Sequence, residues 1–269
     1  MMFRLLIVAL LTIGGLGRSH TAHPQERSVS PLPQAHAHND YLHERPLLDA
    51  LAQGFTSVEA DVFLVNGDLW VAHAQEELEP QRTLRQLYLD PLRKRSQTRG
   101  GAIYPDNERF QLLIDLKSDA ESTYRVLSEL LAEYADIITV VRDGVVEQKA
   151  VDVVVSGNRP IATMQAQTVR FAGVDGRLSD LDSDLPVHLM PLLSDRWGAH
   201  FRWRGTGPID EAERRKLMEF VNRTHAAGRR IRFWATPETQ ECWQLLRDAG
   251  VDHINTDRLA ELKQFLSRL

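Results

Sequence analysis

The feature that narrows the fold most is a repeated change of period along the chain. Short apolar runs suited to strands are followed by longer runs with helical spacing. FQLLIDLK (110–117) reads as a strand and DAESTYRVLSELLAEY (119–134) as an amphipathic helix. RIRFWAT (230–236) is followed by ETQECWQLLRDAG (238–250), and VDHINTD (251–257) by RLAELKQFLSRL (258–269). IITVVRDGVVEQKAVDVVVSGN (137–158), RFAGVDG (170–176) and VHLMPLL (187–193) add further strands, and PIDEAERRKLMEFVNRTHAAG (208–228) adds a long helix. Strand-then-helix repetition implies a parallel sheet. About eight such units in one domain predict a single (β/α)8 TIM barrel, an α/β fold with its chemistry at the C-terminal strand ends. Two departures are expected. TSVEADVFLV (56–65) and DLWVAH (68–73) flank Asn66-Gly67 and read as a hairpin, and TLRQLYLDPLRKR (83–95) reads as a helix broken at Pro91.

The N-terminus is of another character. Arg4 precedes LLIVALLTIGGLG (5–17), an uncharged run of thirteen residues, where a bilayer span needs about 20. Residues 1–22 therefore read as a signal peptide, with export to the periplasm or exterior as the expectation. Residues 23–33 are polar and contain proline, and read as a linker to a barrel over 34–269. The net charge of −5 gives no basic face for nucleic acid. Cys242 is the single cysteine, so no disulfide can form within the chain, and it reads as a small buried apolar residue. The basic clusters Arg93, Lys94, Arg95, Arg99 and Arg229, Arg230, Arg232 read as solvated faces or helix ends. Peripheral contact with anionic lipid head groups is their sharper reading. A monomer is expected.

The chemistry lies in two strands. Side chains at i and i+2 share a face, so Glu59 and Asp61 point to the barrel axis while Val58, Ala60 and Val62 point to the helices. Two carboxylates side by side need a cation or a shared proton. Asp115 and Lys117 repeat the spacing within an apolar strand, where charge is costly without partners. Glu59, Asp61 and Asp115 thus converge as all-oxygen ligands suited to one Mg²⁺ or Ca²⁺. With Lys117 such a site is near neutral and accepts an anionic phosphodiester.

Proton carriers remain to be found, and histidine is the usual choice near neutrality. His73 returns beside the Glu59–Asp61 strand, although strict pairing turns it to the wrong face unless the strand ends or bulges near Ala72. His36 and His38, in QAHAHNDYLHERP (34–46), share a face of the first strand.

These residues resemble a known superfamily. HAHND with LLDALAQGFTSVEADVFLVNGDLWVAHA, then LLIDLK, then RIRFWATPETQECWQLLRDAGVDHINTD are similar to glycerophosphodiester phosphodiesterases and phosphatidylinositol-phospholipase-C-like enzymes. LIDLK is most similar to the sphingomyelinase-D branch. HAHNDY with SVEADV is most similar to the altered inheritance of mitochondria protein 6 branch. The resemblance implies two catalytic histidines, His36 and His73, around one divalent ion held by Glu59, Asp61 and Asp115. It also implies that Lys117 contacts phosphate and Trp234 forms an aromatic wall. His38 and Asn39 are expected to line the mouth and contact substrate, and Asp257 to cap the last helix. The HRG of typical glycerophosphodiester enzymes is absent, and the Asp61–His73 segment is about one residue shorter. The expected substrate is a small or lipid phosphodiester, cleaved to an open or a cyclic phosphate.

Two other readings compete. His36-x-His38 also resembles the Zn pair of amidohydrolases, with His188, His253 and Asp257 completing the set, but Glu59, Asp61 and Lys117 then have no work. A barrel that binds a head group or sugar phosphate without turnover is the second.

Overall fold

The computed structural model describes residues 29–268; the signal-peptide segment lies outside them. Eight parallel strands form the barrel: β1 (Leu32–Ala37), β2 (Phe55–Val65), β3 (Phe110–Leu116), β4 (Val151–Gly157), β5 (Gly173–Gly176), β6 (Leu192–Arg196), β7 (Arg230–Trp234) and β8 (His253–Thr256). Each pairs with its neighbour, and β1 pairs with both β8 and β2, which closes the ring. The barrel begins earlier than expected. Leu32, predicted as linker, already pairs with Phe55, and its amide bonds the carbonyl of Gly54 at 2.7 Å.

Helices follow most strands: α1 (Leu48–Gln53), α2 (Asp90–Thr98), α3 (Ala120–Ala132), α4 (Ile161–Ala166), α5 (Trp197–His200), α6 (Glu211–Ala226), α7 (Gln240–Asp248) and α8 (Leu259–Leu266). Asp119 and Thr239 cap α3 and α7 by accepting the amides of Ser122 and Cys242. In α3 the buried Thr123, Tyr124, Leu127, Leu130 and Leu131 form one stripe against the sheet. Val58, Ala60 and Val62 of β2 are fully buried under such helices. Cys242 is buried likewise, and burial pushes its thiol up to about 12.

Three details depart from the sequence reading. Pro91 does not break its helix; it stands in the first turn of α2, where a missing N–H costs little, after a widened turn at Arg85–Leu89. Between β5 and β6 there is a 3-10 turn, Leu178–Asp180, in place of an α-helix. Val140–Arg142 and Val145–Glu147 leave the barrel and pair as an antiparallel hairpin, joined by Val169–Arg170. The hairpin turn at Asn66-Gly67 forms as expected, linking β2 to Asp68–Val71.

Inside the ring the filling is divided. Leu113, Val154 and Leu192 form a small apolar cluster separate from the main core. The opposite side of the interior is polar, with His36, Ser57, Glu59 and Arg232 all buried. The loop after β1 is pinned by Asp40, which is fully buried. Its Oδ2 accepts the Leu47 amide at 2.5 Å and the Tyr88 hydroxyl at 2.9 Å.

Burial pushes the Asp40 carboxyl up to about 7. The folded state then holds a proton that the unfolded chain releases near pH 4, so this group's contribution is greatest at acid pH and is lost as pH rises through about 7. Asp40→Asn keeps an acceptor for both bonds and removes the titration. Thermal unfolding should show a smaller fall in Tm between about pH 5 and pH 8 than in wild type, by roughly 2–4 °C per kcal/mol. An unchanged pH profile would contradict this.

Candidate metal centre and active site

Glu59 and Asp61 project from β2 and Asp115 from β3, with Asp61 and Asp115 directly paired across the sheet. One carboxylate oxygen from each lies within 4.8 Å of the others. Asp61 is 1% exposed and Glu59 5%, so their repulsion is little screened. Each carboxylate has one cationic neighbour. Arg232, two residues before the end of β7, places NH2 2.9 Å from Glu59 Oε2. Lys117 Nζ lies 2.9 Å from Asp61 Oδ2 and 3.2 Å from Asp115 Oδ1. Burial alone would raise Glu59; the Arg232 charge and the neighbouring His36 and His38 together outweigh it and hold the carboxyl below its usual range. Burial, with the charge of Glu59, pushes Asp61 up to about 6, and Asp115 is raised from the same causes despite Lys117.

A divalent ion fits this set. Three carboxylates against two cations leave one negative charge, and Asp61 Oδ1 is buried without a hydrogen-bond partner. An orphaned anionic oxygen facing two further carboxylates is the chemistry of an oxygen-ligated cation.

The backbone is shaped around Asp115. Gly157, the last residue of β4, has φ +67°, and a Cβ there would come within 2.2 Å of Asp115 Oδ1. Only glycine serves both needs.

The two histidines of β1 occupy unlike places. His36 is fully buried. Arg232 NH1 donates to its Nε2 at 2.9 Å; a guanidinium offers donors only, so the ring proton sits on Nδ1 and goes to Ser57 Oγ at 2.7 Å. Burial and the Arg232 charge hold its pKa down to about 3. His36 thus stands neutral between Ser57 and Arg232, with its Nε2 3.3 Å from Glu59 Oε2 at the edge of the carboxylate triad.

His38 lies just past β1, with a quarter of its side chain exposed, and its Nδ1 is 2.8 Å from Asp257 Oδ1. Burial would lower its pKa, but the hydrogen bond to Asp257 and the charge of Glu59 prevail and raise it. Asp257 is thus a partner of His38, and α8 begins without a side-chain cap.

Asn39 adopts a left-handed conformation (φ 47°, ψ 37°) that turns the chain back. Its amide spans His38 Nδ1 at 3.0 Å and the Tyr41 hydroxyl at 2.7 Å, so it contacts the site's own residues. The Tyr41 hydroxyl is also 2.7 Å from Asp61 Oδ2 and 3.1 Å from His73 Nδ1. A hydroxyl has one proton, which goes to the Asn39 or the Asp61 oxygen, so His73 Nδ1 donates and its Nε2 stays free. His73 escapes the wrong-face problem because the hairpin strand ends at Val71 and Ala72 N bonds Asp61 O beyond it. Its side chain is 58% exposed. Trp234 ends β7, half-buried, with the Arg196 guanidinium 5.9 Å from its ring centre.

Two earlier groupings dissolve. His188 bonds Arg170, and His253 lies within the barrel accepting from Arg230, so neither joins His36 and His38 as a Zn set. Arg232 lies in the interior and Arg229 is buried against the carbonyls of Asp180, Ser183 and Leu185, which removes that cluster as a lipid-facing patch.

Residues 24–175 match the AIM6-like phosphodiesterase domain. The chain belongs to the AIM6-like phosphodiesterase family. A second match, to the glycerophosphoryl diester phosphodiesterase family, covers residues 230–260, which hold Arg232 and Trp234. Among AIM6-like relatives, altered inheritance of mitochondria protein 6 of Eremothecium gossypii is 30% identical, over 89% of this chain and 71% of the relative. The homologue in Arthroderma benhamiae is 25% identical, over 89% and 85%. A solved glycerophosphodiester phosphodiesterase from Parabacteroides distasonis superposes with TM-score 0.53 at 15% identity, over 89% of this chain and 98% of its own, which establishes the shared fold.

Gly157→Ala should lower Tm more than Gly67→Ala. Both positions have positive φ, but a Cβ at Gly67 meets nothing within 4 Å. The left-handed backbone costs each roughly 1–2 kcal/mol, and only Gly157→Ala adds a collision with Asp115. Equal Tm losses by calorimetry would contradict the close approach.

Proposed function

We propose that this chain is a divalent-metal-dependent phosphodiesterase that uses His38 and His73, in place of His36 and His73, as its proton carriers. The observation that carries the reading is the flanking of Glu59, Asp61 and Asp115 by two histidines whose Nδ1 atoms are engaged, by Asp257 and Tyr41, leaving both Nε2 atoms for substrate. When bound at the three carboxylates, Mg²⁺ or Ca²⁺ supplies Lewis-acid stabilisation of charge developing on the phosphoryl oxygens. With the ion present the site carries one positive charge, which a phosphodiester monoanion neutralises. Lys117 meets a phosphoryl oxygen. One histidine takes the proton of the attacking hydroxyl or water, and the other protonates the leaving oxygen. A substrate hydroxyl adjacent to the phosphate gives a cyclic product; water gives an open one. Trp234 offers an apolar wall to the alcohol portion, in keeping with a glycerophosphodiester, lysophospholipid or related head group. Export rests on the sequence of residues 1–22 alone, and no described helix is long and apolar enough to cross a membrane.

Turnover of bis(p-nitrophenyl) phosphate tests this. His38→Ala and His73→Ala should each lower kcat by about 100-fold or more, and chelation should abolish turnover until Mg²⁺ or Ca²⁺ is restored. Equal rates in wild type and His38→Ala would overturn the histidine assignment, and chelator-insensitive turnover the metal dependence. Binding of the diester without turnover would make this a head-group-binding barrel.

A further inference from the structure

Across the mouth from the histidines, a basic subsite is built on β4, β5 and β6. The segment after β4 runs along the rim of the carboxylate triad. Gly157 lies against Asp115 Oδ1, and Asn158 N donates to the carbonyl of Leu116 at 2.9 Å. Arg159 is next. It is half-buried, its NH1 donates to the carbonyl of Asp175, and no carboxylate lies within ion-pairing distance of it among the described residues.

Beside it stands Arg177, just past β5. Its NH1 meets Asp175 Oδ2 at 2.9 Å and the carbonyls of Gly176 and Asp175 at 2.9 and 3.3 Å. Asp175 is held rigidly, since Ser156 of β4 and Ser194 of β6 donate to the same Oδ2 at 2.7 and 2.6 Å. The Asp180 carboxylate is engaged by the amide of Arg177 at 2.8 Å. Asp175 thus gives its carboxylate to Arg177 and only its backbone carbonyl to Arg159. Burial and the Arg177 charge both weigh against the charged form of Arg159, more than Asp175, Asp180 and Asp115 favour it. Each arginine is fixed through NH1, which leaves its remaining donors, the edge that grips phosphate or carboxylate, unspent. A half-buried cation without a counter-ion, two residues from the glycine that touches the metal triad, is costly until an anion arrives.

We propose that Arg159, supported by Arg177, receives a second anionic group of the substrate, so that the preferred phosphodiesters carry an additional phosphate or carboxylate on the alcohol portion. The proposal rests on the phosphodiesterase reading for the word substrate, but its test reads binding. Lys117 and the triad hold the scissile phosphate; Arg159 sets which alcohol portion is favoured. It is a specificity residue and takes no part in proton transfer.

Dissociation constants are measured on the Mg²⁺-loaded chain carrying His73→Ala, which blocks turnover. Three probes are compared: glycerophosphoglycerol, with one charge; its phosphomonoester derivative; and N-acetyl glycerophosphoserine, which adds a carboxylate without an ammonium. At least one of the two probes with a second anionic group should bind about tenfold more tightly than glycerophosphoglycerol, and which one does so distinguishes phosphate from carboxylate. Arg159→Gln should erase that preference and leave glycerophosphoglycerol within about twofold, and Arg159→Lys should retain part of it. Equal binding of all three probes would overturn the proposal, as would a preference undiminished in Arg159→Gln. If Arg159→Gln fails to fold, the probe ranking in the background chain and in Arg159→Lys still decides it. An inactive wild type would sink the phosphodiesterase reading without moving these constants.

Discussion

The mutual repulsion of Glu59, Asp61 and Asp115, held together out of water, is the condition that the surrounding structure answers. Each carboxylate costs free energy where it stands, and the barrel offsets that cost only in part, with Arg232 from β7 and Lys117 from the end of β3. The remainder, one negative charge and one orphaned oxygen, is what gives the site an appetite for a cation. Further features follow from it. Gly157 makes room for Asp115, Tyr41 is turned back by Asn39 to reach Asp61, and His36 exists to steady the arginine that steadies Glu59.

Two histidines from the same strand face, separated by one residue, end in opposite chemical states. His36 lies below the rim, dry and beside a guanidinium, and stays neutral. His38 lies at the rim beside a carboxylate that favours its protonated form. A residue's depth in the barrel, one strand repeat of about 6–7 Å, decides between a ring held neutral and one whose protonated form is favoured. Environment, rather than residue type, separates such roles in acid–base pairs generally.

Much of this was legible in the chain itself. The period change from strand to helix, and the i, i+2 carboxylates embedded in apolar strands, point to a barrel with a carboxylate-lined mouth, because both follow from side-chain alternation that every strand obeys. What was not legible depends on contacts between distant segments. Arg232 reads as part of a basic run, and only the register of β7 against β1 and β2 turns it inward to Glu59. Asp257 reads as a helix cap, and His38 claims it from the far side of the ring closure. Tyr41 carries no sequence signal beyond its place after Asn39. The difference between His36 and His38 was hidden for the same reason: spacing along a strand gives the face and not the depth. The loss of a helix between β5 and β6 has a faint signal, a stretch rich in Asp, Ser and Pro from Ser179 to Pro186.

The most direct measurement is a calorimetric titration of Mg²⁺ and of Ca²⁺ into the metal-free chain, in wild type and in Asp61→Asn. One ion should bind per wild-type chain, with proton release on binding as Asp61 is forced to ionise, and affinity should fall at least tenfold in Asp61→Asn. Absence of binding in wild type, or undiminished binding in Asp61→Asn, would contradict this.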